Sequence, residues 1–288
     1  MKLYKSISTF LIFGFILSAC SQNKEVTIKT HKLSENIYML EGQGGNIGIS
    51  IGEDGVLMID SQFAKLTSKI LEAIKNLSDK PIKFLANTHH HGDHTGGNEN
   101  ISKLDVNIIA HDNIYRRVKN NKRQTDESLP TITFNNKLSL YINGEQVIAM
   151  HFDNAHTDGD SMLYFTKSNV LHTGDIFFHN RYPYIDLNSG GSVTGYIEAV
   201  KGAMILIDEN TKIIPGHGNL SNKKEYETFL KMLINLKSNV LAEIKNGKTE
   251  EEVTSNTSLT KTYDDLGYSW GFITSEKIRK TLYKSLKK

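Results

Sequence analysis

The segment "NTHHHGDHTGG", residues 87–97, holds four of the protein's 11 histidines and one aspartate. In extended backbone, residues i and i+2 point to the same side, so His89 and His91 can face one metal ion while His90 points away. Solvated loops do not favour histidine, whereas neutral imidazole is a common metal ligand. This stretch therefore predicts a metal site, which requires further ligands from elsewhere in the chain.

Further candidate ligands lie within this segment and far downstream of it. Gly92 permits a tight turn, after which Asp93 and His94 can reach a second metal position. Three more candidates follow apolar, strand-like runs and are flanked by glycine or small residues: His156 in "NAHTDGD", Asp175 in "LHTGD" and His217 in "IIPGHG". Because polar residues carried by strand ends meet at one rim of a sheet, we expect a single site.

The order of these residues, H-x-H-x-D-H followed by a distant His, Asp and His, resembles the metallo-β-lactamase superfamily over roughly residues 35 to 220. The resemblance implies an α/β (α+β) fold, the four-layer αββα sandwich of two mixed β-sheets with helices on the outer faces. It also implies that Asp60, which ends "VLMID", lies beneath the metal loop and supports it without being a ligand.

The resemblance further implies two zinc ions per chain and assigns their ligands. The first zinc would be held by His89, His91 and His156, the second by Asp93, His94 and His217, and Asp175 would bridge the two. Three neutral imidazoles leave an open tetrahedral position for water, so the implied nucleophile is a metal-bound hydroxide. Asp93 would be the catalytic residue that orients this nucleophile and relays its proton to the leaving group.

The rest of the chain alternates between strands and helices in two successive halves. Short runs of period two, separated by glycines, predict strands in the first part of each half. Helices are predicted at residues 65–78, 113–121, 192–208, 223–237 and 240–247, and after a cap at Ser275. Since no long linker divides the halves, residues 33–288 are predicted to form one domain of two packed sheets with helices outside.

The N-terminal residues are expected to lie outside this domain. Residues 1–19 combine the basic start "MKLYK" with the apolar run "FLIFGFIL", which is too short to span a membrane and is typical of an export signal. The residues "LSAC" resemble the bacterial lipobox, and their Cys20 is the only cysteine. We therefore expect a signal peptide, a lipidated tether over residues 20–32, and an exported lipoprotein that faces the periplasm. The alternative is a chance cysteine in a signal anchor.

The charge balance argues against nucleic-acid partners. The formal net charge is +2, from 34 basic and 32 acidic residues, and removal of Lys2 and Lys5 with the signal leaves 32 of each. A neutral chain lacks the basic surface that binds phosphate backbones. The expected partner is a small-molecule substrate, membrane contact is expected through the lipid only, and the oligomeric state stays open.

The segment "DIFFHNRYPYIDLNSGGS", residues 175–192, supplies candidates for the substrate pocket. Four of its side chains are expected to line the pocket, with simple surface placement as the alternative: His179, Arg181, Tyr182 and Tyr184. The "NSGGS" stretch leaves two interpretations open. It offers free backbone N–H groups to an anion, or it provides a plain helix N-cap at Ser192.

The ligand set and the resemblance together imply a zinc-dependent hydrolase, and the substrate we expect is a small amide, ester or lactam. β-Lactams are the best named candidates, because export would place the protein where those antibiotics act. Two departures from the β-lactamases count against them. Asp175 stands where one subclass has a cysteine ligand and another has serine, and Phe178 stands where the first has a carboxylate-binding lysine. The set is closer to that of general hydrolases such as the glyoxalase II group.

Two other functions remain open. A mononuclear iron enzyme resembling the persulfide dioxygenases would use two histidines and one carboxylate, which would leave His94 and His217 without a role. A non-catalytic metal-binding lipoprotein would be favoured by an incomplete ligand set, whereas this set is complete.

Overall fold

Two β-sheets packed face to face form the centre of the molecule, and helices cover both outer faces. The computed structural model describes residues 25–287, so the predicted signal peptide and Cys20 lie outside the described residues. This four-layer arrangement of two mixed sheets confirms the predicted fold class. No helix within the described residues is both long enough and apolar enough to cross a membrane.

The first sheet contains seven strands in chain order, and its last four strands are parallel. They are β1 (Lys29–Lys32), β2 (Ile37–Glu41), β3 (Ile47–Gly52), β4 (Gly55–Ile59), β5 (Ile82–Ala86), β6 (Asn107–His111) and β7 (Ile132–Phe134). Parallel neighbours need a crossover connection, which the helices that follow β4, β5 and β6 provide. The carboxyl ends of β4 and β5 therefore lie side by side at one rim.

The second sheet contains six strands in the order β13-β12-β11-β10-β9-β8. They are β8 (Lys137–Ile142), β9 (Glu145–His151), β10 (Ser161–Phe165), β11 (Val170–His172), β12 (Lys212–Ile214) and β13 (Ser221–Asn222). Only β11 and β12 pair in parallel within the described part of this sheet, and the connection between them contains a helix. Their carboxyl ends face the same rim as those of β4 and β5, because the loops from both sheets meet there.

The helices are mostly short, and one is long. They are α1 (Thr67–Lys75), α2 (Gly92–Thr95), α3 (Asn98–Ser102), α4 (Asp112–Asn120), α5 (Val193–Met204), α6 (Lys223–Lys245), α7 (Glu250–Ser255), α8 (Lys261–Asp264) and α9 (Ser275–Leu286). On the outer face of the first sheet, Ile70 and Ile74 of α1 pack into a buried cluster with Met58. On the second sheet, α5, α6 and α9 contribute to a larger cluster of the same kind.

A third apolar cluster lies between the sheets. It contains Leu57 and Ile59 of the first sheet together with Leu163 and Phe165 of the second, all of them buried. Burial of such side chains contributes about 1.5–3 kcal/mol each. This layer holds the two sheets together, and thereby fixes the loops of one sheet against those of the other.

Two helix predictions were wrong in detail. Residues 238–239 do not break the helix, because Leu236 and Val240 lie one turn apart on the same fully buried face and α6 continues to Lys245. Ser275 does not cap α9, since the side chain of Thr274 accepts the hydrogen bond from Lys277 N at 3.1 Å.

Candidate metal centre

Loops at one rim of the two sheets bring all seven predicted metal ligands together. The loop after β5 carries four of them, and the loops after β9, β11 and β12 carry one each. The ligating atoms form two groups, and within each group they lie within 4.8 Å of one another. The first group is His89, His91, His156 and Asp175, and the second is Asp93, His94 and His217.

The first group consists of three ring nitrogens around one carboxylate oxygen. His156 Nε2 lies 2.9 Å from His91 Nδ1 and 3.5 Å from Asp175 Oδ2. His89 Nε2 lies 3.8 Å from the same oxygen. His89 and His156 are buried, whereas the His91 side chain is 21% exposed. The group is therefore enclosed by protein on one side and open on the other.

The second group has the same character on the other side of Asp175. His217 Nε2 and His94 Nε2 lie 3.2 Å and 3.6 Å from Asp93 Oδ2. Asp175 Oδ1 lies 3.1 Å from His94 Nε2 and 3.4 Å from His217 Nε2. Thus one carboxylate oxygen of Asp175 faces each group, which is the arrangement that a bridging ligand requires.

The buried atoms of both groups fit bound divalent cations. Three candidate ligating atoms of the two groups are buried and have no hydrogen-bond partner among residues 25–287: His89 Nε2, His94 Nε2 and Asp175 Oδ1. Buried polar atoms without partners are costly unless something else satisfies them. Neutral imidazole and carboxylate are the donors that zinc takes in proteins.

The electrostatics of the two groups also favour cations. Burial lowers the pKa of His89 well below its usual value and that of His156 to about 4, so both rings are neutral and offer a lone pair. Burial alone would lower the pKa of His217, but Asp175 and Asp93 outweigh it and raise that pKa to about 9. A positive charge is therefore stabilised at the second group, where metal binding would replace the proton.

Asp60 holds the second group from beneath. His94 Nδ1 donates to Asp60 Oδ2 at 2.8 Å, which leaves His94 Nε2 directed at the site. The Asp60 carboxylate also accepts hydrogen bonds from Thr88 N at 2.8 Å and from the Thr88 hydroxyl at 2.7 Å. It is fully buried and belongs to neither ligand group. Such a partner fixes the orientation and the tautomer of a ligating imidazole.

Asp186 orients a histidine of the first group, as Asp60 orients His94 in the second. The sequence analysis did not identify Asp186. His91 Nε2 donates to Asp186 Oδ2 at 3.1 Å, so Nδ1 carries the lone pair and faces the site. Asp186 Oδ1 in turn accepts hydrogen bonds from the backbone N–H groups of Asn188 and Ser189. In the sequence, an aspartate ahead of "LNSGG" is indistinguishable from an ordinary turn residue.

A cleft of about 640 Å³ lies over both groups. Its lining contains several of the candidate metal ligands and two of the predicted pocket residues, Arg181 and Tyr184. It also contains three aromatic residues that the sequence analysis did not single out: Phe63, Trp270 and Phe272. Tyr184 also receives a hydrogen bond at its carbonyl oxygen from His156 Nδ1, at 2.7 Å. The cleft gives a small molecule access to the open side of the candidate metal centre.

Two residues predicted to line the pocket do not. His179 is buried behind the cleft, with Nε2 3.4 Å from Glu225 Oε2. Tyr182 is fully buried, and its hydroxyl donates to Asp264 Oδ1 at 2.6 Å. The backbone turns between these positions, where Asn180 has a positive φ of 54°. As a result, side chains three positions apart in this segment point into the cleft, and those of His179 and Tyr182 do not.

The remaining site predictions concern His90 and Ser192. His90 belongs to neither ligand group, and its Nε2 lies 3.4 Å from Ser189 Oγ, although a ring nitrogen of His90 lies within 4.8 Å of His91 and Asp186. The Ser192 hydroxyl accepts a hydrogen bond from Gly195 N at 2.9 Å. Of the two interpretations of "NSGGS", the structure therefore shows the plain N-cap of α5.

Residues 36–217 match the family model of the Metallo-beta-lactamase superfamily. A curated hydroxyacylglutathione hydrolase from Nitrosococcus oceani is 29% identical over 150 residues, which is 49% of this chain and 50% of the relative. The chain thus matches about half the length of that relative. Metallo-beta-lactamase IND-1 from Chryseobacterium indologenes is 23% identical over 243 residues, 80% of this chain and 98% of the relative.

A solved structure of a metallo-beta-lactamase from Pontibacter korlensis has the same fold. It superposes with a TM-score of 0.65 at 17% sequence identity and covers 73% of this chain and 100% of that one. Likeness at this level of identity concerns the fold alone.

Proposed function

This chain belongs to the metallo-β-lactamase superfamily, and we propose that it is a zinc-dependent hydrolase of a small amide, ester or lactam. The observation that carries the proposal is the position of Asp175, whose two carboxylate oxygens face two separate groups of ligating atoms. Two zinc ions bound there would lower the pKa of a water molecule and polarise the bond to be cleaved. The ligands would be the seven residues of the two groups.

Asp93 is the residue we propose for proton transfer. Its side chain is 26% exposed and lines the cleft, unlike the fully buried His94 beside it. Burial would raise the pKa of Asp93, but His94 and His217 outweigh it and lower that pKa to about 2. The carboxylate is thus ionised at neutral pH, so it can accept a hydrogen bond from the nucleophile and orient it, and we propose that it also passes the proton on to the leaving group.

Within this class, β-lactams are the substrates we propose to test first. The named β-lactamase relative aligns over 98% of its own length, whereas the hydroxyacylglutathione hydrolase aligns over 50%. His94 and His217 would have no role around a single iron ion, which is why we rank a mononuclear iron enzyme second.

The test is a metal count combined with an activity assay on the chain from Ser21 onward. Elemental analysis gives the metal content, and nitrocefin, a glutathione thioester and 4-nitrophenyl acetate are offered with and without a chelator. We expect about two zinc ions per chain and chelator-sensitive hydrolysis of at least one compound. Two zinc ions without turnover of any of them would contradict the proposed substrate classes, and one iron ion would contradict the zinc centre.

Two variants show whether the activity belongs to this centre. Asp175→Asn removes the bridging charge and should reduce turnover on the order of 100-fold or more together with zinc content. Asp153→Asn is the matched control, because that side chain is 90% exposed and pairs only with His151 among the described residues. Equal losses in the two variants would argue against the centre.

We also propose, from the sequence, that the protein is exported and anchored through a lipid on Cys20. Detergent phase partition of the full-length chain expressed in bacteria tests this, with Cys20→Ser as the variant. The native chain should enter the detergent phase and the variant the aqueous phase. Equal partition of the two would contradict the lipid anchor.

A further inference from the structure

We infer that residues 266–274, which lie beyond the family match, build a specificity subsite for substrates that carry both an aromatic group and an anionic group. The segment connects α8 to α9 and contributes Trp270 and Phe272 to the cleft. The inference rests on the proposed function only in taking this cleft as the place where substrate binds.

The segment is fixed in position by hydrogen bonds. Trp270 Nε1 donates to the carbonyl oxygen of Tyr182 at 2.9 Å, and Tyr182 N donates to the carbonyl oxygen of Tyr268 at 2.9 Å. Lys277 Nζ donates to the carbonyl oxygen of Phe272 at 3.0 Å and lies 4.0 Å from the centre of its ring. The aromatic rings are therefore held against the cleft before any ligand arrives, which lowers the entropy cost of binding.

An aromatic wall runs outward from the first ligand group. The Tyr184 ring stacks near His91, with centroids 5.6 Å apart and an interplanar angle of 26°. Phe272 meets Tyr184 edge to face at 5.1 Å and is 51% exposed. An exposed phenyl ring beside a rigid tyrosine offers apolar area that a flat ring would bury, with the offset or edge-to-face geometry that aromatic pairs prefer.

A cation lies beyond Trp270, whose ring centroid is 5.7 Å from that of Phe272. Among the described residues Arg181 forms no ion pair, and its guanidinium lies 5.4 Å from the centre of the Trp270 ring. Its side chain lines the main cleft and also a neighbouring cavity of about 220 Å³ that contacts His217. A guanidinium that is stacked on a ring but has no carboxylate partner suits a planar anion such as a carboxylate.

The two features therefore orient a substrate. The aromatic wall adjoins His91 of the first ligand group, and Arg181 lines the same cavity as His217 of the second group. Asp175 lies between them, with one oxygen facing each group. A substrate bound with its ring on the wall and its anion on Arg181 would place the bond between these groups over Asp175.

Trp270 makes this inference testable without turnover. It is the only tryptophan of the protein and it lines the cleft, so its fluorescence reports ligand binding there. The protein, with its metal content measured, is titrated with phenylacetate and phenylacetamide, and acetate is measured by displacement of phenylacetate. We expect phenylacetate to bind at least about tenfold more tightly than either other probe, and tenfold equals about 1.4 kcal/mol.

Two variants separate the wall from the cation. Phe272→Ala should weaken phenylacetate binding about tenfold, toward the affinity of acetate, and Arg181→Gln should weaken it about tenfold, toward that of phenylacetamide. The matched controls should bind as the native protein does. They are Leu266→Ala, which is 65% exposed in the same segment and does not line the cleft, and the exposed Arg123→Gln.

Three results would overturn the inference. They are equal affinity for the three probes, an unchanged titration in Phe272→Ala, and an unchanged titration in Arg181→Gln, which is also the result if a metal ion alone binds the carboxylate. A failure of the proposed function would give a different set of results. Selective binding of phenylacetate without hydrolysis of any test compound would contradict the hydrolase and support the subsite, while zinc-dependent hydrolysis with unselective binding would do the reverse.

Discussion

Replacement of Asp186 by asparagine should weaken zinc binding at the first ligand group without unfolding the protein. The Asp186 carboxylate can only accept a hydrogen bond, so it fixes the proton on His91 Nε2 and leaves the lone pair on Nδ1. The amide of asparagine can donate through its NH₂ group, which favours the opposite tautomer and puts a proton on the nitrogen that faces the metal.

The magnitude follows from the contact that is lost. A hydrogen bond to a charged group contributes about 1.5–3 kcal/mol, and loss of a partner that orients a metal ligand typically costs about 10–100-fold in metal affinity. These two ranges agree, since about 1.4 kcal/mol corresponds to tenfold. We therefore expect the affinity for one of two zinc ions to fall about 10–100-fold.

The assay is a competition titration of zinc against a chromophoric chelator, together with thermal unfolding of the metal-free protein. Asparagine retains the Oδ1 acceptor for the backbone N–H groups of Asn188 and Ser189, so the melting temperature of the metal-free variant should stay close to that of the native protein. Asp153→Asn serves again as the control. Native zinc affinity in Asp186→Asn would refute the orienting role, and a large fall in melting temperature would show a structural role instead.

Three further predictions concern other parts of the molecule. A methyl group on Gly45 would lie 2.1 Å from His94 Cε1, so Gly45→Ala should lose zinc. A methyl group on Gly92 would have no atom within 4 Å, so Gly92→Ala should keep its zinc, and equal zinc contents in the two variants would contradict this prediction. The buried hydroxyl of Tyr226 has no partner within the described residues, so Tyr226→Phe should raise the free energy of unfolding by about 1 kcal/mol; a clear decrease in urea denaturation would reveal a missed partner. Thr249 caps α7 in a capping box, so Thr249→Ala should lower stability by about 1 kcal/mol and the melting temperature by about 2–4 °C; an unchanged melting temperature would contradict it.

The parts of the centre that could be predicted are those with a local signature. His89, His91, Asp93 and His94 share one short segment, and the other candidate ligands follow apolar runs next to glycine or small residues. In the structure, each of these residues follows a strand at the same rim. Strand ends and glycines are visible in a sequence because they depend on neighbours along the chain.

The parts that escaped prediction depend on contacts between distant segments. Asp186 meets His91 across 95 positions of sequence, and Trp270 reaches the cleft because its indole binds the backbone of Tyr182, 88 positions earlier. Neither residue differs locally from a turn aspartate or a core aromatic. The prediction that His179 lines the cleft was wrong for a related reason, since the turn at Asn180 changes which side chains of that segment face the cleft.

Because the candidate ligands come from both sheets, the two ligand groups can form only late in the synthesis and folding of the chain. Each group draws side chains from the loop after β5 and from loops of the second sheet, so the first is complete only after Asp175, and the second only after His217, has been synthesised and the sheets have docked. Until then, a nascent chain can offer only partial sets. Zinc, once acquired, would therefore join the first half of the chain to the second, and its content in a preparation would report the fraction of molecules whose assembly is finished.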